Sequence, residues 1–336
     1  MNQKNMKQWL AELRESPVKK AFPILSFPCV SLLGISVRQL ISDADTQAEG
    51  MRLIAQKTNA AASVSLMDLS VEAECFGAKI RFSEDEVPTV TGRLVCDMDD
   101  AEALQVPSVG TARSGLYIKA IEKACAQITD RPIFAGMIGP FSLAARLLDV
   151  SEIMMDCYDD PDMVHLVLEK ATEFLISYGS AYKKAGAHGI LMAEPVAGLL
   201  SPSLEEEFAA PYCKRIIDAL QDDHFLIIYH NCGGNVLSMT ESIFSLGAAA
   251  YHFGNAVDMK SILEKAPCDT VIMGNVDPVS VLCFGTPENV RLATAELLES
   301  CSTYPNFVIS SGCDMPPKTP WKNIEAFFET VEDFYQ

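Results

Sequence analysis

The sequence predicts an α/β chain folded as a (β/α)8 barrel, and three observations predict it. Eight short apolar runs are spread through 336 residues. Longer amphipathic stretches separate most of them, and polar, thiol and carboxylate side chains gather just beyond the ends of the later runs. Strands covered on both faces read as continuous apolar segments, which is the habit of a parallel sheet wrapped by helices. The length suits one such barrel, whose reactive groups sit past the C-terminal ends of its strands.

The elements follow in order. An amphipathic stretch leads to Pro17 and predicts an extra N-terminal helix. The strand candidates are 22–27, 62–67, 133–137, 189–193, 225–229, 248–253, 270–274 and 307–311. Helices are predicted over 36–58, 114–128, 162–185, 204–220, 236–245 and 287–300. Ser203 before Leu204-Glu205-Glu206-Glu207, and Thr286 before Pro287-Glu288, carry helix-start chemistry. The segment 69–107 breaks the rhythm: its β-like runs at 77–82 and 87–95 suggest a hairpin beside the barrel. No linker rich in Pro, Gly or Ser and no internal repeat divides the chain, so residues 1–336 read as one domain.

Composition narrows the function. A hydrophobic fraction of 49% supports one large core rather than disorder. No run of about 18 uncharged apolar residues occurs, and the N-terminus lacks a signal-peptide core, so the expectation is a cytoplasmic protein with no membrane partner. A net charge of −19 without a basic cluster repels phosphate backbones, which sets nucleic acid aside. Eleven cysteines, none in a Cys-x-x-Cys pair, read as reduced thiols, most of them small buried hydrophobes.

The residues past the strand ends are not random. Glu194-Pro195 follows the fourth predicted strand, His230-Asn231-Cys232-Gly233-Gly234 the fifth, Asn275-Val276-Asp277-Pro278 the seventh, and Gly312-Cys313-Asp314 the eighth. In an extended segment residues i and i+2 point the same way, so the imidazole of His230 and the thiolate of Cys232 can share one ion. Cys313 can converge on them from the last strand. One His and two Cys form a three-ligand zinc set with an open fourth position, and soft thiolates favour zinc over magnesium or calcium. Gly233 and Gly234 would let backbone and a bulky cofactor approach closely. Glu194, Asn275 and Asp277 are candidate catalytic groups at the same rim. Each has a plainer reading as well: Glu194 as a helix-start or ion-pair carboxylate, Asn275 and Asp277 as caps of the next helix. His252, His224, His165 and His188 read as structural.

At these residues the chain resembles the uroporphyrinogen decarboxylase superfamily, and within it the branch of cobalamin-dependent methyltransferases of the methylcobamide:coenzyme M type. The likeness lies in DLSVEAECFG at 68–77, GMIGPFSLAARLL at 136–148, EPVAGLLSP at 194–202, HNCG at 230–233, GNVDP at 274–278 and Gly312-Cys313. The resemblance implies zinc at His230, Cys232 and Cys313, and a methyl group exchanged between a corrinoid and a small-molecule donor or acceptor, such as a thiol. Gly254 departs from relatives that carry an acidic residue there, which turns attention to Glu194 as fourth ligand or base. A tetrapyrrole decarboxylase is the rival, but the arginine-rich segment such enzymes carry after the first strand is missing: that loop reads PCVSLLG at 28–34, and the next arginine is Arg38. A non-catalytic corrinoid carrier is the third reading. The nearest match to the Asp-x-His-x-x-Gly corrinoid motif, Asp222-Asp223-His224, lacks the glycine and runs into a strand, so the corrinoid is expected on a partner protein.

Overall fold

The computed structural model describes residues 5–336. Among the described residues nine strands form in chain order: β1 (Ser63–Val64), β2 (Lys79–Arg81), β3 (Thr89–Thr91), β4 (Ile133–Ile138), β5 (Gly189–Ala193), β6 (Leu226–Asn231), β7 (Ala250–Phe253), β8 (Val271–Val276) and β9 (Phe307–Ser311). Seven of them make one curled parallel sheet in the order β1-β4-β5-β6-β7-β8-β9, with helices in the connections. β2 and β3 pair antiparallel, Ile80 opposite Val90, and are the expected hairpin beside the barrel.

The segment expected as the first strand, 22–27, takes the eighth place in the circle without becoming a regular strand. Phe22 N donates to Ile309 O at 2.9 Å on one side, and Ala61 N donates to Ala21 O at 2.8 Å on the other. Between these, side chains replace ladder bonds: Ser311 Oγ accepts from Ile24 N, and Ser310 Oγ donates to Phe22 O. Pro23, between them, has no N–H to give on the opposite side, toward β1.

Three expected helices are each broken in two, the one over 236–245 into a 3-10 turn at Val236–Ser238 and the helix Thr240–Ser245. Over 36–58 the chain forms Val37–Leu40 and then Ala44–Lys57, because the Asp43 carboxylate accepts from Thr46 N and starts a new helix. Over 204–220 it forms Pro202–Phe208 and Ala210–Leu220, parted before Pro211, whose missing N–H cannot continue the first helix. The cap of the first piece is Ser201, not Ser203: Ser201 Oγ accepts from Leu204 N, while Ser203 Oγ turns to Ser201 Oγ. Thr286 caps Pro287–Cys301 as expected, in a reciprocal box with Asn289.

Alternation along each strand divides the core. One side chain set packs under the helices, and the other fills the barrel, with Phe22, Phe134, Leu191, Ile228, Met273 and Val308 among its members. The helix Met6–Glu15 closes the N-terminal end, burying Met6 and Leu13 and setting Trp9 against Phe134 with ring centroids 5.7 Å apart. The inward positions continue upward from Ile228 to residue 230, from Ala250 to 252, and from Val308 to 310. The top inward layer is therefore polar. Among the described residues no helix is long and apolar enough to cross a membrane.

Candidate metal centre

His230 sits near the end of β6, in register with His252 on β7. Asn231 points the other way, donating to Tyr229 Oη at 3.0 Å and accepting from Gly233 N at 2.9 Å. That small turn brings Cys232 back to the barrel axis beside His230. Cys313 arrives just past β9. One donor atom from each of His230, Cys232 and Cys313 lies within 4.8 Å of the others. Cys313 Sγ is 3.6 Å from His230 Nε2. An imidazole nitrogen and a thiolate on one tetrahedral zinc are separated by about 3.6 Å, given the usual bond lengths. The donor set and its spacing fit that ion.

The thiols also carry the signature of a shared site. A hydrogen bond with Cys313 holds the Cys232 thiol below its ordinary range. The same bond, with burial, pushes Cys313 up to about 12. The two sulfurs thus lie close enough to share one hydrogen bond.

Two glycines make the approach possible. A Cβ on Gly254 would lie 2.4 Å from Cys232 Cβ and 3.2 Å from Gly312 O, so no side chain fits between β7 and the two cysteine loops. A Cβ on Gly233 would lie 2.4 Å from the Gly198 backbone. Gly233, expected to admit a bulky cofactor, is buried against the chain itself; Gly234 alone of the pair is exposed, with open space around its Cα.

A cavity of about 80 Å³ opens onto the cluster, lined by His230, Cys232, Cys313 and Asp314 with Met67 and Pro195 among its apolar wall. Asp314 accepts from Ser26 Oγ at 3.1 Å, and burial raises its carboxyl well above the usual range. A larger cavity of about 440 Å³ lies at the opposite end, between Leu10, Arg14 and Leu226, and no thiol or imidazole lines it. The chemistry is at the smaller one.

Three expected residues do not join the cluster. Glu194 is fully buried, and its carboxylate accepts from Phe141 N at 2.8 Å and from Ser142 N and Oγ at 3.0 and 2.7 Å. It caps the helix Pro140–Leu148 from the end of β5, meeting the unpaired N–H groups of a first turn. Burial pushes its pKa up to about 7 against those bonds. Asn275 donates both amide hydrogens, to Gly254 O and Val257 O at 2.8 Å each, fastening the loop after β7. Asp277 accepts from Val279 N and Ser280 N and caps the helical turn Pro278–Cys283. The capping alternative describes the observed contacts of Asp277. Conversely, His252, read as structural, and Ser310, not singled out, stand at the site, as does Asp314 from the rim segment after the eighth predicted strand. The inward alternation from Ala250 and Val308 is the signal that could have found the first two.

Comparisons with known proteins bear on the family and the fold. A family model described as uroporphyrinogen decarboxylase (URO-D) matches residues 28–334. The methylcobamide:CoM methyltransferase MtbA of Methanosarcina mazei is 28% identical over 271 residues, covering 80% of this chain and 78% of its own. The uroporphyrinogen decarboxylase of Coxiella burnetii is 26% identical over 287 residues, covering 81% of this chain and 77% of its own. A solved methyltransferase from Methanosarcina mazei superposes with a TM-score of 0.86 at 24% identity, over 99% of both chains, and so shares the fold. With the fold closed by 22–27 and nearly the whole length matched, the chain belongs to the uroporphyrinogen decarboxylase family.

Proposed function

We propose that this protein is a zinc-dependent methyltransferase that moves a methyl group from a corrinoid, carried by a partner protein, to a small thiol. The single observation that carries the reading is the convergence of His230, Cys232 and Cys313 at the mouth of the barrel. The similarity to an enzyme named for methylcobamide and CoM supports both the corrinoid and the thiol.

His230, Cys232 and Cys313 would hold the metal beside the cavity that all three line. When bound there, zinc supplies Lewis acidity that keeps a small thiol deprotonated near neutral pH. Two thiolates and one neutral imidazole balance the ion's charge, so the donor set preserves nucleophilicity in a thiolate placed beside it. A cavity of about 80 Å³ admits a small thiol and no corrinoid ring, so the corrinoid must face the mouth from outside. The thiolate sulfur bonds the methyl carbon, the cobalt–carbon bond breaks, and its electron pair stays on cobalt, which passes from cobalt(III) to cobalt(I). Exposed Gly234 leaves room at that rim.

Decarboxylation of a polycarboxylate tetrapyrrole fits poorly. Arg113, beside the rim segment after β1, is already occupied by Asp68, by Glu74 Oε2 at 2.6 Å and by Ser70 Oγ at 2.8 Å. Three of its five donors are thus committed within the chain.

The test is elemental analysis followed by turnover. About one zinc per chain is expected, as is thiol-dependent loss of the cobalt–carbon absorbance of methylcobalamin. Cys232→Ala should lose both. Reduced, chelator-free protein without zinc, or a panel of thiols giving no demethylation, overturns the reading. Conversion of uroporphyrinogen would instead identify a decarboxylase.

A further inference from the structure

We infer that His252 and Ser310 are positioning residues that decide which nitrogen of His230 faces the two thiols. Ser310 Oγ lies 2.6 Å from Phe22 O. A carbonyl oxygen only accepts, so the single hydroxyl hydrogen of Ser310 is directed there. His252 Nε2 lies 2.7 Å from the same hydroxyl oxygen. With its hydrogen already committed, that oxygen can only accept, and His252 must carry its proton on Nε2.

The neutral ring of His252 then presents a bare Nδ1. His230 Nδ1 is 2.8 Å from it. Only one hydrogen fits between two nitrogens at that distance, and His230 supplies it. The remaining nitrogen of His230, Nε2, keeps its lone pair and is the one that lies 3.6 Å from Cys313 Sγ. The reverse assignment would require protons on both nitrogens of His252, a cation on a ring with no exposure to water. Four backbone segments hold this chain of bonds: β6, β7, β9 and the closing segment 22–27.

The chemical consequence rests on the zinc reading above. A ligand imidazole is commonly held by a carboxylate or a carbonyl. Here the holder is another neutral imidazole, which orients His230 without adding negative charge to a set that already has two thiols. A residue that merely fills the core would leave both the proton position and the metal affinity unchanged when replaced by a side chain of similar bulk.

The test uses the full-length, metal-free chain with ¹⁵N-labelled histidine; five histidines keep the spectrum assignable. His230 should show hydrogen on Nδ1 and none on Nε2, with His252 the reverse. His252→Phe should lower zinc affinity, measured by chelator competition, by about ten- to a hundredfold, the range for lost outer partners of a ligand. His252→Asn should recover much of it, because its amide oxygen can accept near the position of Nδ1. Hydrogen on Nε2 of His230 in the wild type, or a folded Phe variant with wild-type zinc affinity, overturns the inference. If the Phe variant does not fold, Ser310→Ala decides: it should give a second His230 tautomer, and a single unchanged one is refutation. If the wild type binds no zinc, the metal reading fails while the nitrogen spectrum still decides this one.

Discussion

Glu194 shows how a single residue can be placed correctly and still do different work from the work its type suggests. It stands at the end of β5, at the reactive rim, yet its carboxylate is spent on a helix start, with the Cys213 thiol donating to it from a second helix at 3.7 Å. Glu194→Gln keeps the shape but exchanges one acceptor oxygen for an amide that faces donors. A loss of about 1–3 kcal/mol in unfolding free energy is expected, in the range of a mispaired buried group. Zinc content should be unchanged; loss of zinc with stability intact would return Glu194 to the metal. Its pH dependence has a definite sign. Burial raises its pKa from 4.5 to about 7 in the folded chain, and Glu72, also buried, behaves alike. A raised acid holds its proton more tightly when folded, so its contribution is complete below about 4.5 and is lost as pH rises through about 7. Melting temperature should fall across that window, with a shallower slope in Glu194→Gln.

At the scale of elements, the site depends on how closely three loops approach. The loops after β6, β7 and β9 meet at Cys232, Gly254 and Gly312. Gly254→Ala would place a methyl 2.4 Å from Cys232 Cβ, which forces the cysteine loop outward. Zinc affinity should drop at least tenfold, by chelator competition, with the far-ultraviolet spectrum retained. Gly234→Ala has nothing within 4 Å of the new carbon. It should leave zinc affinity alone and change stability by no more than about 0.5 kcal/mol. A slower reaction in that variant with protein-bound corrinoid, but not with free methylcobalamin, would place the partner at this rim.

Over the whole molecule, the two ends of the barrel do separate work. The C-terminal mouth holds His230, His252, Cys232 and Cys313. The N-terminal end is closed by the first helix and fastened by Lys19, whose ammonium donates to Leu13 O at 3.1 Å, to Arg14 O and to Pro305 O at 2.7 Å. This one side chain ties the helix end to the turn before β9. Lys19→Ala would leave buried carbonyls without a donor, and a loss of at least about 1–3 kcal/mol is expected from denaturant unfolding. Metal content and turnover of the folded fraction should be unaffected. A variant that unfolds no more readily than wild type would show that the closure does not need this cation.

What the sequence determined by itself was local and periodic. Apolar runs separated by amphipathic stretches fixed seven of the eight barrel positions as strands, and the i, i+2 spacing put His230 and Cys232 on one side. The hairpin and the Thr286 cap were legible for the same reason, since hairpin pairing and capping act over a few residues. Tertiary structure alone decided the rest. The first strand became a segment bonded through Ser310 and Ser311, a substitution visible only when β9 lies alongside. Glu194 became a cap because a helix that starts at Pro140 was brought to it. His252 became a neighbour of His230 because parallel register set them level across two strands. Sequence spacing reports which way a side chain points; packing decides what it finds there, because residues tens of positions apart become neighbours only when the barrel closes.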